Sequence, residues 1–193
     1  KAYIMIDFLF PTAVMYNQNV LEKPHSVLGA IGTDRHSSPD LQEKKEFNDL
    51  VKAIMNYSNE YADIMNWDCK LYVQSMWSNV MRSGQDHPPH THANSLLSGV
   101  YYPLGATPDM PAIEFFDSRN MGGVLPTNKG FTMENSSKWA YPVIPNSLLL
   151  FPAWLQHWVP VNKSLHPRIS ISFNIMITGR AGKDKDLCGI TWK

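Results

Sequence analysis

From Lys70 to Gly179 the chain reads as short β-type runs with no helical segment between them: KLYVQSMWSNVM, SLLSGVYYPL, AIEFFD, WAYPVIP, SLLLFPAWLQHWVPV and RISISFNIMITG. Gly, Pro, Asn and Asp punctuate them, as turn residues do between strands. Strands in close succession without intervening helices specify an antiparallel sandwich or barrel. Upstream, Phe47, Leu50, Val51, Ile54, Tyr57, Tyr61, Ile64 and Met65 recur mostly at spacings of three and four. That pattern predicts an amphipathic helix over about 41–65, with Ser38 or Asp40 as its cap. The expected fold is mainly β with a flanking helix: a jelly roll, cupin-like, with its β core over about 68–178. A length of 193 residues suits one domain spanning 1–193.

The remaining segments are less regular. Tyr3–Tyr16 predicts one or two strands interrupted at Pro11, and residues 17–40 predict loop. Ser118–Lys138, rich in Gly, Asn and Ser, is long enough to be a lid. Lys and Arg together number 17, as do Asp and Glu. That balance gives no basic face for nucleic acid. No apolar run approaches the roughly 20 residues of a membrane span, so no membrane partner is expected. The opening KAYIMIDFLF lacks a small-residue cleavage site and reads as a strand, not a signal peptide. Cys69 and Cys188 lie far apart and outside any C-x-x-C, which fits a reducing cytoplasm.

Three of the seven histidines fall within six residues, in HPPHTH from His87 to His92. In an extended strand residues two apart share a face, so His90 and His92 project together. His157 follows the apolar strand SLLLFP, which an antiparallel barrel can lay alongside. Two adjacent ligands and a distant third make a facial three-point site with open positions, the geometry of non-haem Fe(II) oxygen chemistry. The usual order there is H-x-D with a distant His. Here His92 stands where the carboxylate would be, and the site is one charge more positive. A shifted reading pairs His92 with Asn94 and His157. Glu114 and Asp86 are carboxylate alternatives should H-x-H fail. His87 has the wrong parity and is expected near the mouth. His25, His36 and His166 lie in loop-like segments and read as surface or packing residues.

Eleven residues after His157 begins RISISFNI. Arg168, Ser170, Ser172 and Asn174 share one face; Ile169, Ile171, Phe173 and Ile175 share the other. A strand with one wet and one buried face explains this alternation. If the polar face instead lines a cavity, Arg168 and Ser170 form an R-x-S clamp. A planar guanidinium grips a carboxylate through two parallel hydrogen bonds, and a hydroxyl two residues on adds a third. A dicarboxylate chelating a metal at one end could be held there at the other.

HTHANSLLSGVYYPL, IEFFDSR, PNSLLLFPAWLQHWVPVN and RISISFNI, in that order, resemble the 2-oxoglutarate/Fe(II)-dependent oxygenases of bacteria and their phages. FLFPTAVM is similar to that family's opening, and the likeness runs from about Phe8 to Ile175. It implies a double-stranded β-helix, with Fe(II) on His90, His92 and His157. It also implies 2-oxoglutarate with its distal carboxylate on Arg168, supported by Ser170. The implied activity is that of a dioxygenase that hydroxylates its substrate and releases succinate and CO2.

Other residues are candidates for the same cavity. Asn79 and Gln74 could bond the oxoacid. Tyr102 shares parity with His90 and His92 if no bulge intervenes. Trp154 and Trp158 flank His157, and Trp158 is a candidate substrate contact. Arg119 could meet an anionic substrate, although Asp117 and Arg119 also read as a surface pair. A small molecule or a protein side chain would serve as substrate, and sheets of this kind often pair into homodimers. Two rivals remain at this stage. One is a cupin-like metalloenzyme without an oxoacid; the other is a non-catalytic binding module on the same barrel.

Overall fold

The computed structural model describes residues 6, 9–119, 127–182 and 189–192. Two antiparallel sheets face each other. In the larger, β1 (Met15–Gln18) pairs with β7 (Ser147–Pro152), β7 with β4 (Leu97–Tyr102), and β4 with β9 (Arg168–Ala181). Strand β2 (Lys70–Met81) also pairs with β9, and β10 (Ile190–Trp192) pairs with its C-terminal end. The smaller sheet runs β3 (His87–His90), β8 (His157–Val159), β5 (Ile113–Phe116), β6 (Lys138–Tyr141). This is the expected jelly roll, a double-stranded β-helix.

Period-two alternation places the two cores. On β4, β7 and β9, residues Leu97, Tyr101, Leu148, Leu150, Ile171, Phe173 and Ile175 face outward from the sandwich. The helix α1 (Asn48–Ile64) covers them with Leu50, Ile54 and Tyr61. The alternate residues Val100, Tyr102, Leu149 and Phe151 face the smaller sheet and meet Ile113, Phe115 and Val159. The strand β2 fixes the geometry between the layers. It follows β9 from Lys70 opposite Thr178 to Met81 opposite Arg168, with one irregularity between Val73 and Ser75.

The helix is shorter than the sequence suggests. Two 3-10 turns, Leu41–Glu43 and Lys45–Phe47, precede it. Neither Ser38 nor Asp40 caps it; Phe47 occupies the cap position without a side-chain bond. Its C-terminus closes on Asn66 at φ 54, where Trp67 N–H reaches Ala62 O at 2.9 Å and Asn66 N–H reaches Asp63 O at 3.0 Å. That is a Schellman end with Asn in the left-handed position usually given to Gly.

Residues 17–40 are not all loop, since Pro24–Ala30 forms a 3-10 helix. Among the described residues the opening segment forms only β1, and most of Tyr3–Phe8 lies outside them. So do Cys188 and residues 120–126 of the expected lid. No described helix is long and apolar enough to cross a membrane.

Gly99 sits on β4 opposite Phe173. A Cβ there would run into the Phe173 ring and lie 2.6 Å from Leu149 O, so the missing side chain is what lets that ring cross the strand. Gly99→Ala is expected to destabilise the fold by about 1–3 kcal/mol through overpacking, read as a lowered urea midpoint. An unchanged midpoint would show that the ring yields freely.

Candidate metal centre

His90 ends β3 and His157 opens β8, and the two are register partners across the sheet. Their ring centroids are 4.4 Å apart. His92 lies two residues past the strand end. Its backbone N–H donates to Ala153 O at 2.9 Å, and its ring stacks on His157 at 5.2 Å and 10°. The Nε2 atoms of His92 and His157 are 3.4 Å apart. Two nitrogens about 2.1 Å from one ion are separated by roughly 3.0–3.4 Å, depending on the angle between them. One ring nitrogen from each of His90, His92 and His157 lies within 4.8 Å of the others.

The tautomers are set from behind. His157 Nδ1 faces Leu155 O at 2.9 Å and His90 Nδ1 faces Pro88 O at 2.7 Å. A carbonyl only accepts, so each Nδ1 carries its proton and each Nε2 presents a lone pair. Burial pushes the His157 pKa down to about 3, against the pull of the Leu155 carbonyl; His90, His92 and His87 push it lower. Burial, then His90, holds His92 at about 4. Both rings are therefore neutral at neutral pH, with lone pairs free for a metal.

The histidines open onto a cavity of about 260 Å³ whose far wall carries Arg168, Ser170, Ser172, Tyr102 and Asn79. Of the polar face of RISISFNI, Arg168, Ser170 and Ser172 line it, whereas Asn174 bonds Ser98 and Ser75 instead. Arg168 is 2% exposed. Its Nη2 donates to the Tyr102 hydroxyl at 2.7 Å, its Nε to Pro111 O at 3.2 Å, and its Nη1 reaches Ser170 Oγ at only 3.5 Å. None of the ion pairs among the described residues involves it. A guanidinium offers five N–H donors, so this buried cation has donors to spare for an anion.

Several expectations change. His90 and His92 do not share a strand face, because β3 stops at His90. Asn94 sits exposed in the following turn at φ 58 and does not line the cavity, which removes the Asn94 alternative. Tyr102 lines the cavity from β4 of the other sheet, so strand parity with His90 is not what places it there. Asn79 faces the cavity, but protein partners occupy it. Its Oδ1 accepts from Trp77 Nε1 at 3.1 Å and lies 2.8 Å from His36 Nδ1, while its Nδ2 donates to Ser172 Oγ at 2.9 Å.

Trp158 points to the opposite face of β8, where its Nε1 donates to Glu114 Oε2 at 2.6 Å. That face also holds Lys138, 2.7 Å from the same carboxylate, so Glu114 is no ligand. Asp86 does not line the cavity either. Arg119 is clamped on Asp117 at 2.7 Å and borders a separate hollow of about 460 Å³ against Pro11, Val14, Phe115 and Trp139. His36 was not foreseen as a cavity residue. It lies in a segment without periodicity and reaches the wall through a single bridge to Asn79.

The family model described as "Putative 2OG-Fe(II) oxygenase" matches residues 75–174, which carry all three histidines, Arg168 and Ser170. The chain belongs to this 2OG-Fe(II) oxygenase family. Solved structures of low sequence identity share its fold. The alpha ketoglutarate dependent epimerase SnoN from nogalamycin biosynthesis is 11% identical, with a TM-score of 0.65 over 91% of this chain and 81% of its own. Iron-bound HygX from Streptomyces hygroscopicus is 13% identical, with a TM-score of 0.61 over 85% and 82%. A prolyl-4-hydroxylase from Pseudomonas putida is 12% identical, with a TM-score of 0.57 over 87% and 89%. No curated protein matches the sequence.

Two outcomes follow for the metal-free oxygenase. The folded pKa values of His157 and His92, about 3 and 4, lie below the ordinary 6.5. The unfolded chain therefore binds more protons below about 6.5, and stability falls as pH falls through that range. Its Tm is expected to drop steadily from pH 7 to pH 5; a flat profile would contradict neutral buried rings. His157→Ala is expected to weaken divalent-metal binding at least about 100-fold by calorimetry, since a three-ligand site loses its most buried member.

Proposed function

We propose that this protein is a 2-oxoglutarate- and Fe(II)-dependent oxygenase that hydroxylates a small molecule or a protein side chain. The observation that carries the reading is a buried guanidinium facing three convergent imidazole nitrogens across one cavity. His90, His92 and His157 would hold the metal through Nε2. Arg168 would hold the distal carboxylate of the oxoacid, with Ser170 Oγ beside it. When bound, Fe(II) and 2-oxoglutarate would supply the oxidising chemistry with O2, one oxygen atom ending in succinate as CO2 leaves and the other in the hydroxylated substrate carbon.

The chain's own part is placement and exclusion of water. Tyr102 accepts from Arg168 Nη2 and so fixes the plane of the guanidinium. Burial raises the Tyr102 pKa, which keeps its hydroxyl protonated and leaves its own hydrogen for a carboxylate oxygen. Asn79, tied to His36, Trp77 and Ser172, braces the wall. Val100, Ile113, Phe151 and Val159 give part of the lining an apolar surface, which strengthens polar contacts inside by lowering the local dielectric.

A cupin-like metalloenzyme without an oxoacid would suit three neutral imidazoles but leaves Arg168 without a purpose. The free thiol of Cys69 supports a reducing, cytoplasmic setting.

The deciding experiment is an anaerobic titration with Fe(II) and 2-oxoglutarate, expected to give a metal-to-ligand charge-transfer band. No band would sink the assignment. Arg168→Ala removes two charge-assisted hydrogen bonds worth about 1.5–3 kcal/mol each. It is expected to raise the oxoglutarate Kd at least about 100-fold while metal affinity holds. Tyr102→Phe is expected to raise that Kd several-fold and leave the Tm within a few degrees.

A further inference from the structure

The hollow bordered by Arg119, about 460 Å³, is larger than the metal cavity of about 260 Å³. Its size falls in the range of small-molecule sites. Strand register places it beside the metal centre. Across the smaller sheet His90 pairs with His157, His157 with Phe115, and Phe115 with Trp139. Directly opposed residues on neighbouring strands put their side chains on one face. These four rings therefore form a row on the inner face of the sheet. The first two belong to the candidate metal centre, and the last two wall the hollow. The partition is thin. Phe115 lies 5.7 Å from the His157 ring between centroids, and Leu155, which also lines the hollow, meets His157 Nδ1 with its carbonyl at 2.9 Å.

The walls define what fits. Phe115, Trp139 and Tyr141 supply aromatic surface. Among the described residues neither Trp139 Nε1 nor the Tyr141 hydroxyl has a hydrogen-bond partner. Such groups find partners when they are covered, so a ligand that covers them has to bring an acceptor. Charge at the rim is already paired. Arg119 is held by Asp117 at 2.7 Å, and Lys138 by Glu114 at 2.7 Å. Glu134 stands exposed at the same rim. Charges of both signs around the opening favour neither an anion nor a cation.

We propose that this hollow is the recognition subsite for the substrate, and that it takes a neutral planar ring carrying an oxygen or nitrogen acceptor, as part of a small molecule. The inference rests on the oxygenase reading above and narrows its substrate class. Neighbouring strands are about 4.8 Å apart, so Trp139 stands roughly 10 Å from His157 along the sheet. The hydroxylated carbon is therefore not in the anchored ring. It lies on a substituent that crosses Phe115 and enters the metal cavity. Trp139 is the specificity-determining residue, because it supplies both ring surface and an unpaired donor. The reaction is the hydroxylation already described; the hollow decides which carbon is presented to it.

The test uses the full chain, 15N-labelled, with 2-oxoglutarate and either diamagnetic Zn(II) or paramagnetic Mn(II). Coumarin, a planar lactone, is compared with octahydrocoumarin, which keeps the lactone but is neither planar nor aromatic. The indole N–H cross-peak of Trp139, one of six tryptophans, is identified by its loss in Trp139→Phe. With Zn(II), coumarin is expected to shift that cross-peak saturably and to bind at least tenfold more tightly than octahydrocoumarin. With Mn(II), the coumarin proton signals are expected to broaden beyond their width with Zn(II), because the ring rests near the metal. Trp139→Ala is expected to weaken coumarin at least tenfold and leave Mn(II) affinity unchanged. Trp139→Phe keeps a ring but loses the donor, and is expected to weaken it several-fold. No cross-peak shift, equal binding of the two lactones, or undiminished binding in Trp139→Ala overturns the subsite. So does a cross-peak shift without broadening in a chain that holds Mn(II), since the ring is then remote from the metal. If Trp139→Ala fails to fold, Trp139→Phe and the lactone comparison decide. Calorimetry reads metal binding separately: a chain that takes neither Zn(II) nor Mn(II) removes the oxygenase reading itself, and the substrate assignment with it.

Discussion

A guanidinium cannot lose its charge inside a protein, and Arg168 sits almost wholly out of water. Much of the arrangement around the cavity follows from satisfying it. The Tyr102 hydroxyl comes from β4, Ser170 from β9 and the Pro111 carbonyl from the segment before β5. Those acceptors tie the larger sheet to the chain that enters the smaller one. They still leave donors over, so the fold is built around a cation whose charge is balanced only by what binds.

The second organising element is the long pairing of β2 with β9. It makes β9 serve two layers at once. Ile171, Phe173 and Ile175 meet the helix, while Arg168, Ser170 and Ser172 line the cavity between the sheets. A slip of one residue would exchange these sets and put isoleucines where the guanidinium belongs. Register here is therefore enforced from both sides, by apolar burial against α1 and by polar need in the cavity. On the other wall, cross-strand register sets the His90 and His157 rings side by side.

Where periodicity was strong, the sequence was readable. The alternation of RISISFNI separated the cavity face from the core face, and the three-and-four spacing located α1. His157 was legible because a lone imidazole follows an apolar strand. What could not be read were features depending on where a strand stops. His92 joins the cluster only because the chain leaves β3 at His90 and turns through Asn94. Tyr102 arrives from a different sheet, which parity along one strand does not reveal. Trp158 is the opposite case: it adjoins His157 on a strand, and adjacency alone predicts opposite faces. His36 and its bond to Asn79 link an irregular segment to a strand 43 residues later, and no local pattern announces such a link.

The strand that delivers His90 lies at the outer edge of the smaller sheet and reads His-Pro-Pro-His. Pro88 and Pro89 have no amide hydrogen, so this border offers few donors to an incoming backbone. An extended polypeptide cannot zip onto the sheet here as an extra ribbon. A visitor to the iron must be caught by its side groups and charge, and the same two rings guard the border against self-association into fibrils.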